Sequence, residues 1–184
     1  PFHNPGDTMT KKMDDNINLP TQIPIFPLPN ALLLPGGQLP LNIFEPRYLA
    51  MVDDALGHPD RLIGMVQPME EQNSLFGIGC AGRIGYFQET DDGRYMIALN
   101  GVCRFRLGGH EQTEPGYRLA DVSWDEFAAD LQDPLEGIAD RDRMFTIMRR
   151  YFAARGFDAD WDQIERSEEE QILNTLARVC PFEG

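Results

Sequence analysis

Lysine is almost missing from this chain. Lys11 and Lys12 are the only two, and both lie in a polar amino-terminal stretch. A phosphate-binding P-loop lysine, a serine–lysine peptidase dyad and a Schiff-base lysine are therefore unavailable to any folded part. No G-x-S-x-G nucleophile elbow occurs either. Three cysteines, Cys80, Cys103 and Cys180, form no framework spacing, which suits a reducing cytoplasm better than a disulfide scaffold. His3, His58 and His110 show no ligand spacing with those cysteines, so no metal site and no cofactor is expected. Apolar runs fall well short of the ~20 residues that a membrane helix needs, and the amino terminus has no signal-peptide core.

Positive charge is also scarce. Sixteen basic groups face 30 acidic ones, for a net charge of −14. Residues 119–184 hold 16 of the acidic groups and 7 of the basic ones. A nucleic-acid binder needs a positive footprint to displace phosphate counterions, and the chain lacks one overall. Arg83, Arg94, Arg104, Arg106 and Arg118 fall on predicted strands, either as a local basic stripe or as a solvated sheet face with acidic neighbours.

Two literal motif matches fail on context. Gly77, Gly79 and Gly82 fit the dinucleotide fingerprint G-x-G-x-x-G, but Arg83–Glu89 reads as strand where that chemistry needs a helix. These glycines are expected to permit bends or bulges in a curling sheet. His110-Glu111 begins like a zinc-protease helix but has no second histidine, and it lies between Gly108-Gly109 and Pro115-Gly116, a predicted loop. Carboxylates are plentiful, yet no pair stands out as acid and base. Catalysis has no candidate.

The densest apolar stretch runs from Ile23 to Leu56 and is punctuated by six prolines and Gly36-Gly37. Proline fixes φ and removes a backbone donor, so the short pieces from Ile23 to Ile43 read as edge strands or extended connectors. Pro46 then suits a first helical position, Tyr48, Leu49, Val52, Ala55 and Leu56 follow at helical spacing, and Gly57 ends the turn. Downstream, Leu62–Val66 is a short apolar run. Arg83–Glu89 and Arg94–Leu99 flank Thr90-Asp91-Asp92-Gly93, a strong hairpin signal. Tyr95, Ile97 and Leu99 alternate with Arg94, Met96 and Ala98, and Cys103, Phe105 and Leu107 with Arg104 and Arg106, giving inward and outward faces. Tyr117–Trp124 is the last predicted strand.

After Asp133-Pro134 the period turns helical. Leu135, Ile138, Phe145, Met148 and Phe152 form a stripe that Gly156 stops. Ser167 with Glu170 reads as a capping box ahead of Ile172, Leu173, Leu176 and Val179. That stripe needs cover, which is expected from the helix around Phe145 and Met148, from the barrel and from self-association. At 184 residues the chain can bury roughly 70% of its unfolded surface. Strands followed by helices, rather than alternating with them, argue for an α+β fold. The predicted division is a flexible tail over residues 1–20, a strand-rich domain over 21–130 and an acidic helical subdomain over 131–184.

Phe26-Pro27-Leu28, Leu34-Pro35-Gly36-Gly37, Pro40-Leu41 and Ile43-Phe44-Glu45-Pro46-Arg47-Tyr48 together resemble the start of the amino-terminal, substrate-binding domain of Lon-type ATP-dependent proteases. Gly82-Arg83-Ile84, Asp92-Gly93-Arg94-Tyr95, Leu99-Asn100-Gly101-Val102 and Arg104-Phe105 continue the resemblance in the expected order. It implies a PUA-like, twisted antiparallel β pseudo-barrel with one short helix, followed by a small helical unit. The implied function is non-catalytic recognition of polypeptide or unfolded-protein segments, alongside a protease or chaperone system and without ATPase or peptidase parts. Carried over by motif, Pro35, Gly36 and Gly37 form a loop that backbone can approach closely. Phe44 and Tyr48 supply an apolar anchor, with Glu45 or Arg47 for orientation. The bland alternative is that Phe44 and Tyr48 pin the helix to the barrel while Glu45 and Arg47 form a structural ion pair. A PUA-like nucleic-acid-binding module and a small-molecule site in the barrel mouth are the other two readings.

Overall fold

The computed structural model describes residues 19–69, 74–132 and 140–167, together with residues 172, 174 and 176. In chain order the elements are strands β1 (Gln22–Pro27) and β2 (Gln38–Ile43), helix α1 (Pro46–Gly57), strands β3 (Leu62–Val66), β4 (Ile78–Glu89), β5 (Tyr95–Gln112) and β6 (Arg118–Ser123), a 3₁₀ turn (Asp125–Leu131), and helices α2 (Arg141–Arg155) and α3 (Trp161–Arg166). The strands form one sheet in the order β2-β5-β4-β3-β1-β6, and β6 returns to pair with β5, closing a barrel that leaves β2 as an appended edge strand. The fold is α+β, as expected.

The 18-residue strand β5 holds the barrel together. Its first half carries β2, from Tyr95 opposite Ile43 to Asn100 opposite Gln38. Its second half carries β6, from Arg106 opposite Ser123 to Gln112 opposite Arg118. The Thr90–Gly93 hairpin forms where the sequence placed it, with Gly93 at φ 77° and its N–H donating to Thr90 O at 2.9 Å.

Three expectations need correction. One pairing, β1 with β3, is parallel rather than antiparallel. Strand β1 is interior in spite of Pro24: residues 22–25 pair with β6 and residues 25–27 with β3. The strand changes partner just after the proline, so the missing N–H falls where the ladder changes hands. Gly108-Gly109 opens no loop; β5 runs through it as a bulge between Leu107 and His110. A Cβ on Gly108 would lie 3.0 Å from Asp121 O, so glycine lets β6 approach. His110 and Glu111 are accordingly strand residues, and the turn begins only at Thr113.

Two apolar clusters make the core. Ile23, Ile25, Leu62, Ala81, Cys103, Phe105, Ala120 and Val122 fill the barrel, with Phe105 fully buried. Gly64 and Gly79 face that ring: a Cβ would meet Phe105 at 2.9 Å and 2.4 Å respectively. The interior is packed with side chains. The second cluster lies outside the wall, where α1 lays Tyr48, Met51, Val52 and Ala55 against Phe26, Ile63, Met65, Ile97 and Leu99. Pro46 opens α1 as predicted.

Helix α2 is capped by the Asp140 side chain, which accepts from the Arg143 N–H, and ends at Gly156 in the left-handed region. Phe145, Met148 and Ile172 form a third, smaller cluster with Trp161, Ile164 and Leu176 around it. Packing of Ile172 on α2 is as expected, but among the described residues no barrel residue belongs to that cluster. Helix α3 is unanticipated: Asp160 caps it, accepting from the Gln163 N–H. Ser167 stands just after it, with its hydroxyl donating back to Gln163 O at 3.1 Å. Leu135, Ile138, Glu170, Leu173 and Val179 lie outside the described residues.

Candidate functional site: the outer face of the β2–β5–β4 sheet

Residues opposite one another in an antiparallel pair share a face. The register sets Ala98 between Pro40 and Tyr86, and Met96 between Asn42 and Gln88. These two rows face away from α1, because Leu39, Ile43, Ile97 and Leu99, at the alternate positions, enter the buried cluster. A third row follows, with Phe44 beyond Asn42 and the Arg94 guanidinium 5.8 Å from the Phe44 ring centre. Phe44 is 61% exposed, Tyr86 52% and Met96 38%. Strands lie ~4.8 Å apart and same-face residues repeat every ~6.8 Å, so the platform measures roughly 10 by 14 Å. That fits four or five residues of extended chain.

The platform is bounded on one side by β2, which among the described residues pairs with β5 alone. Pro40 removes one backbone donor from this strand, limiting uncontrolled edge pairing. Two ion pairs rim it. Arg47 donates to Glu45 through Nε at 3.0 Å and Nη2 at 2.7 Å, and Arg94 pairs with Asp92 at 2.9 Å. All four side chains are about half exposed, so these pairs add little stability.

The residues singled out from the sequence therefore separate. Phe44 is presented to solvent. Tyr48 is buried, its ring 4.2 Å from that of Phe26, so it pins α1 to the barrel and is no exposed anchor. Burial pushes its phenol up, with Glu45 adding to the effect and Arg47 opposing it. Glu45 and Arg47 form the ion pair of the bland reading, but at the surface beside Phe44. Pro35, Gly36 and Gly37 take their close backbone approach from within the chain. Gly36 N–H donates to Gly101 O at 3.0 Å and Gly101 N–H to Gly37 O at 2.7 Å. Gly36 has φ 71°, and a Cβ on Gly37 would lie 3.1 Å from Asn174 Oδ1. Pro40, Tyr86 and Met96 escaped notice. Met96 does sit on the outward face of its own alternation, but its partners on β2 and β4 follow only from register.

Three arginines of the stripe, Arg94, Arg104 and Arg106, are neutralised locally. Asp130 accepts from Arg104 at the backbone N (3.0 Å), Nε (2.9 Å) and Nη2 (2.7 Å), and this holds its carboxyl below the usual range. Arg106 donates to both oxygens of Glu126, at 2.9 and 2.7 Å. The two described thiols are poor nucleophiles: burial pushes Cys80 up to about 12 and Cys103 up to about 11. Among the described residues no three His, Cys, Asp or Glu side chains converge as metal ligands, and no helix is long and apolar enough to cross a membrane.

The whole is a closed, partly parallel pseudo-barrel with one helix on its wall and an exposed sheet face. Residues 22–183 match the family described as the ATP-dependent protease La (LON) substrate-binding domain, and the chain belongs to that family. Among curated relatives it is 29% identical over 102 residues to Lon protease 2 of Sorangium cellulosum. It is 33% identical over 99 residues to the Lon protease of Parabacteroides distasonis. The two alignments take in 52% and 50% of this chain but only 13% and 12% of those proteins. Among solved structures it resembles the Lon N-terminal domain protein from Xanthomonas campestris, at TM-score 0.57 and 26% identity, covering 89% of this chain and 85% of the other. The N-terminal domain of a Mycobacterium avium complex Lon protease shares the fold at TM-score 0.56 and 13% identity, covering 89% and 84%.

Proposed function

We infer that this domain recognises extended or unfolded polypeptide segments without catalysing a reaction, and that the β2–β5–β4 platform is where it does so. The observation that carries this reading is the exposure of Phe44, Tyr86 and Met96 on a face whose reverse side buries Leu39, Ile43, Ile84, Ile97 and Leu99 in the core. Apolar side chains held on a rigid, packed sheet can accept apolar side chains of a partner without an ordering cost of their own. Alternate residues of an extended segment would lie on Phe44, Met96 and Tyr86. Glu45, Arg47 and Arg94 orient the segment at the rim, while Pro35, Gly36 and Gly37 hold the start of β2 in place.

The absence of a nucleophile, metal set or folded-part lysine among the described residues supports a binding rather than a catalytic role. The family's link to Lon proteases makes a proteolytic system the natural recipient of what is bound. Buried, unpaired thiols suit a cytoplasmic setting. Pairing of Arg94, Arg104 and Arg106 with carboxylates disfavours a nucleic-acid partner.

The test measures affinity for a reduced, carbamidomethylated protein and for single-stranded RNA across a salt series. Binding of the unfolded protein that survives added salt, and falls about tenfold or more in Phe44→Ser, supports the reading. Phe76→Ser serves as a control, since Phe76 is 51% exposed but lies outside the platform. RNA binding that collapses with salt, or equal losses in the two variants, overturns it.

A further inference from the structure

A separate cleft of about 290 Å³ lies between the carboxy-terminal end of α1 and strands β1 and β6. Its apolar lining includes Ile23 and Leu62, which are almost fully buried, and Leu119. Asp54 and Tyr117 supply its polar groups, and the half-exposed His58 also lines it. The Tyr117 hydroxyl donates to Asp54 Oδ2 at 2.6 Å, which fixes the carboxylate in place. Asp54 makes no ion pair with any described residue.

The carboxylate stands where helix physics disfavours it. The last turn of an α-helix presents unsatisfied carbonyls and the negative end of the macrodipole, where a cation is favoured and an anion is not. Helix α1 has no basic residue in its last turn, where Asp54 stands instead. Two sources of negative potential thus converge on one cleft, and no cation among the described residues pairs with Asp54. Tyr117 answers the carboxylate with a hydrogen bond but not with charge, and a position that breaks a local rule in this way is where a function is expected.

We propose that this cleft binds an organic cation on a short aliphatic stem, with the charge at Asp54 and the helix carbonyls and the stem along Ile23, Leu62 and Leu119. The chemistry is common to a free aliphatic amine and to a lysine side chain of a bound polypeptide. The site is independent of the sheet platform: Asp54 and Tyr117 contribute nothing to the platform, and Phe44 does not line the cleft.

The experiment is an amide chemical-shift titration of the full chain with three probes: 1,5-diaminopentane, Nα-acetyl-lysine amide and the neutral isostere Nα-acetyl-norleucine amide. Saturable shifts at His58, Tyr117 and Leu119 are expected with the two cations, at Kd values of about 1 mM or tighter, and not with the norleucine probe. A tighter fit for the lysine probe assigns the cation to a polypeptide side chain, and a tighter fit for the diamine to a free amine. Asp54→Asn keeps shape and hydrogen bonding while removing the charge, and it should weaken cation binding about tenfold. Affinity of the parent should also fall with salt, a readout that needs no variant. Equal shifts from the norleucine probe, no saturation with either cation, or unchanged binding in Asp54→Asn would overturn the proposal.

Discussion

Replacing Gly101 by alanine should be the most damaging single-methyl change in the barrel. A Cβ at this position would lie 1.9 Å from Leu34 O, 2.8 Å from Leu34 C and 3.3 Å from Pro35 Cα. Every one of these neighbours is backbone, so no side chain can rotate away. The 34–37 loop must move, and with it go two hydrogen bonds: Gly36 N–H to Gly101 O and Gly101 N–H to Gly37 O. Each contributes about 0.5–1.5 kcal/mol net, and overpacking adds about 1–3 kcal/mol. The expected loss is about 3 kcal/mol, or a Tm lower by about 6–12 °C for a domain of this size. Gly57→Ala is the matched control. Nothing lies within 4 Å of its Cβ position, it closes α1, and its φ is not positive, so alanine there should be neutral or stabilising by up to ~1 kcal/mol. Urea and thermal melts of both variants, with hydrogen exchange at the Gly36 amide, give the readout. A Gly101→Ala protein that melts within about 1 °C of the parent would refute the close approach and the loop anchoring built on it.

Three further outcomes follow from the same geometry. Tyr117 is buried and bonded to Asp54, which raises its phenol to about 12. A raised folded pKa contributes stability that is fully present below the unfolded value, near 10, and is lost as pH rises towards 12. Urea melts from pH 9 to 12 should thus show a decline of roughly 2–3 kcal/mol, much of which is absent in Tyr117→Phe. Asp130→Asn should cost about 1.5–3 kcal/mol, because it breaks the charge-assisted bonds to Arg104 at backbone and guanidinium. Since the Asp130 carboxyl is held low, its contribution is present above the ordinary carboxylate range and fades as pH falls below about 4; a variant whose acid limb matches the parent's would contradict this. Ile172→Asp should destabilise the helical unit by about 2–4 kcal/mol, since Ile172 is buried against Phe145 and Met148. Unchanged melting and sedimentation would show that this cluster does not hold the unit.

The local signals that survived into the structure are those with a single physical cause. Pro46 could start a helix and Gly93 could turn a hairpin whatever surrounded them. Alternation along β5 sorted its inward and outward residues for the same reason. What stayed hidden depends on partners distant in the chain. Gly108-Gly109 looks like loop punctuation until β6 is seen pressing on it. Pro24 looks like an edge marker until β1 is seen changing partners one residue later. For the proposed site, the sequence singled out Phe44, which the structure exposes, and Tyr48, which it buries, because an aromatic at helical spacing is equally suited to core and to anchor; Met96 and Tyr86 join the proposed face only through the β2–β5–β4 register. Asp54 carried a signal that was passed over: an acid in the last turn of a helix with no base beside it.

Polypeptide docking on the β2–β5–β4 face has the most direct consequence to measure. The direct measurement is an amide and methionine-methyl shift titration with a reduced, carbamidomethylated protein that cannot refold. Perturbations should concentrate at Asn42, Phe44, Tyr86 and the Met96 methyl, and should disappear in Phe44→Ser while the rest of the spectrum stays in place. Binding with shifts confined to Phe76 and Ile78, to the helices, or to no contiguous surface would contradict it.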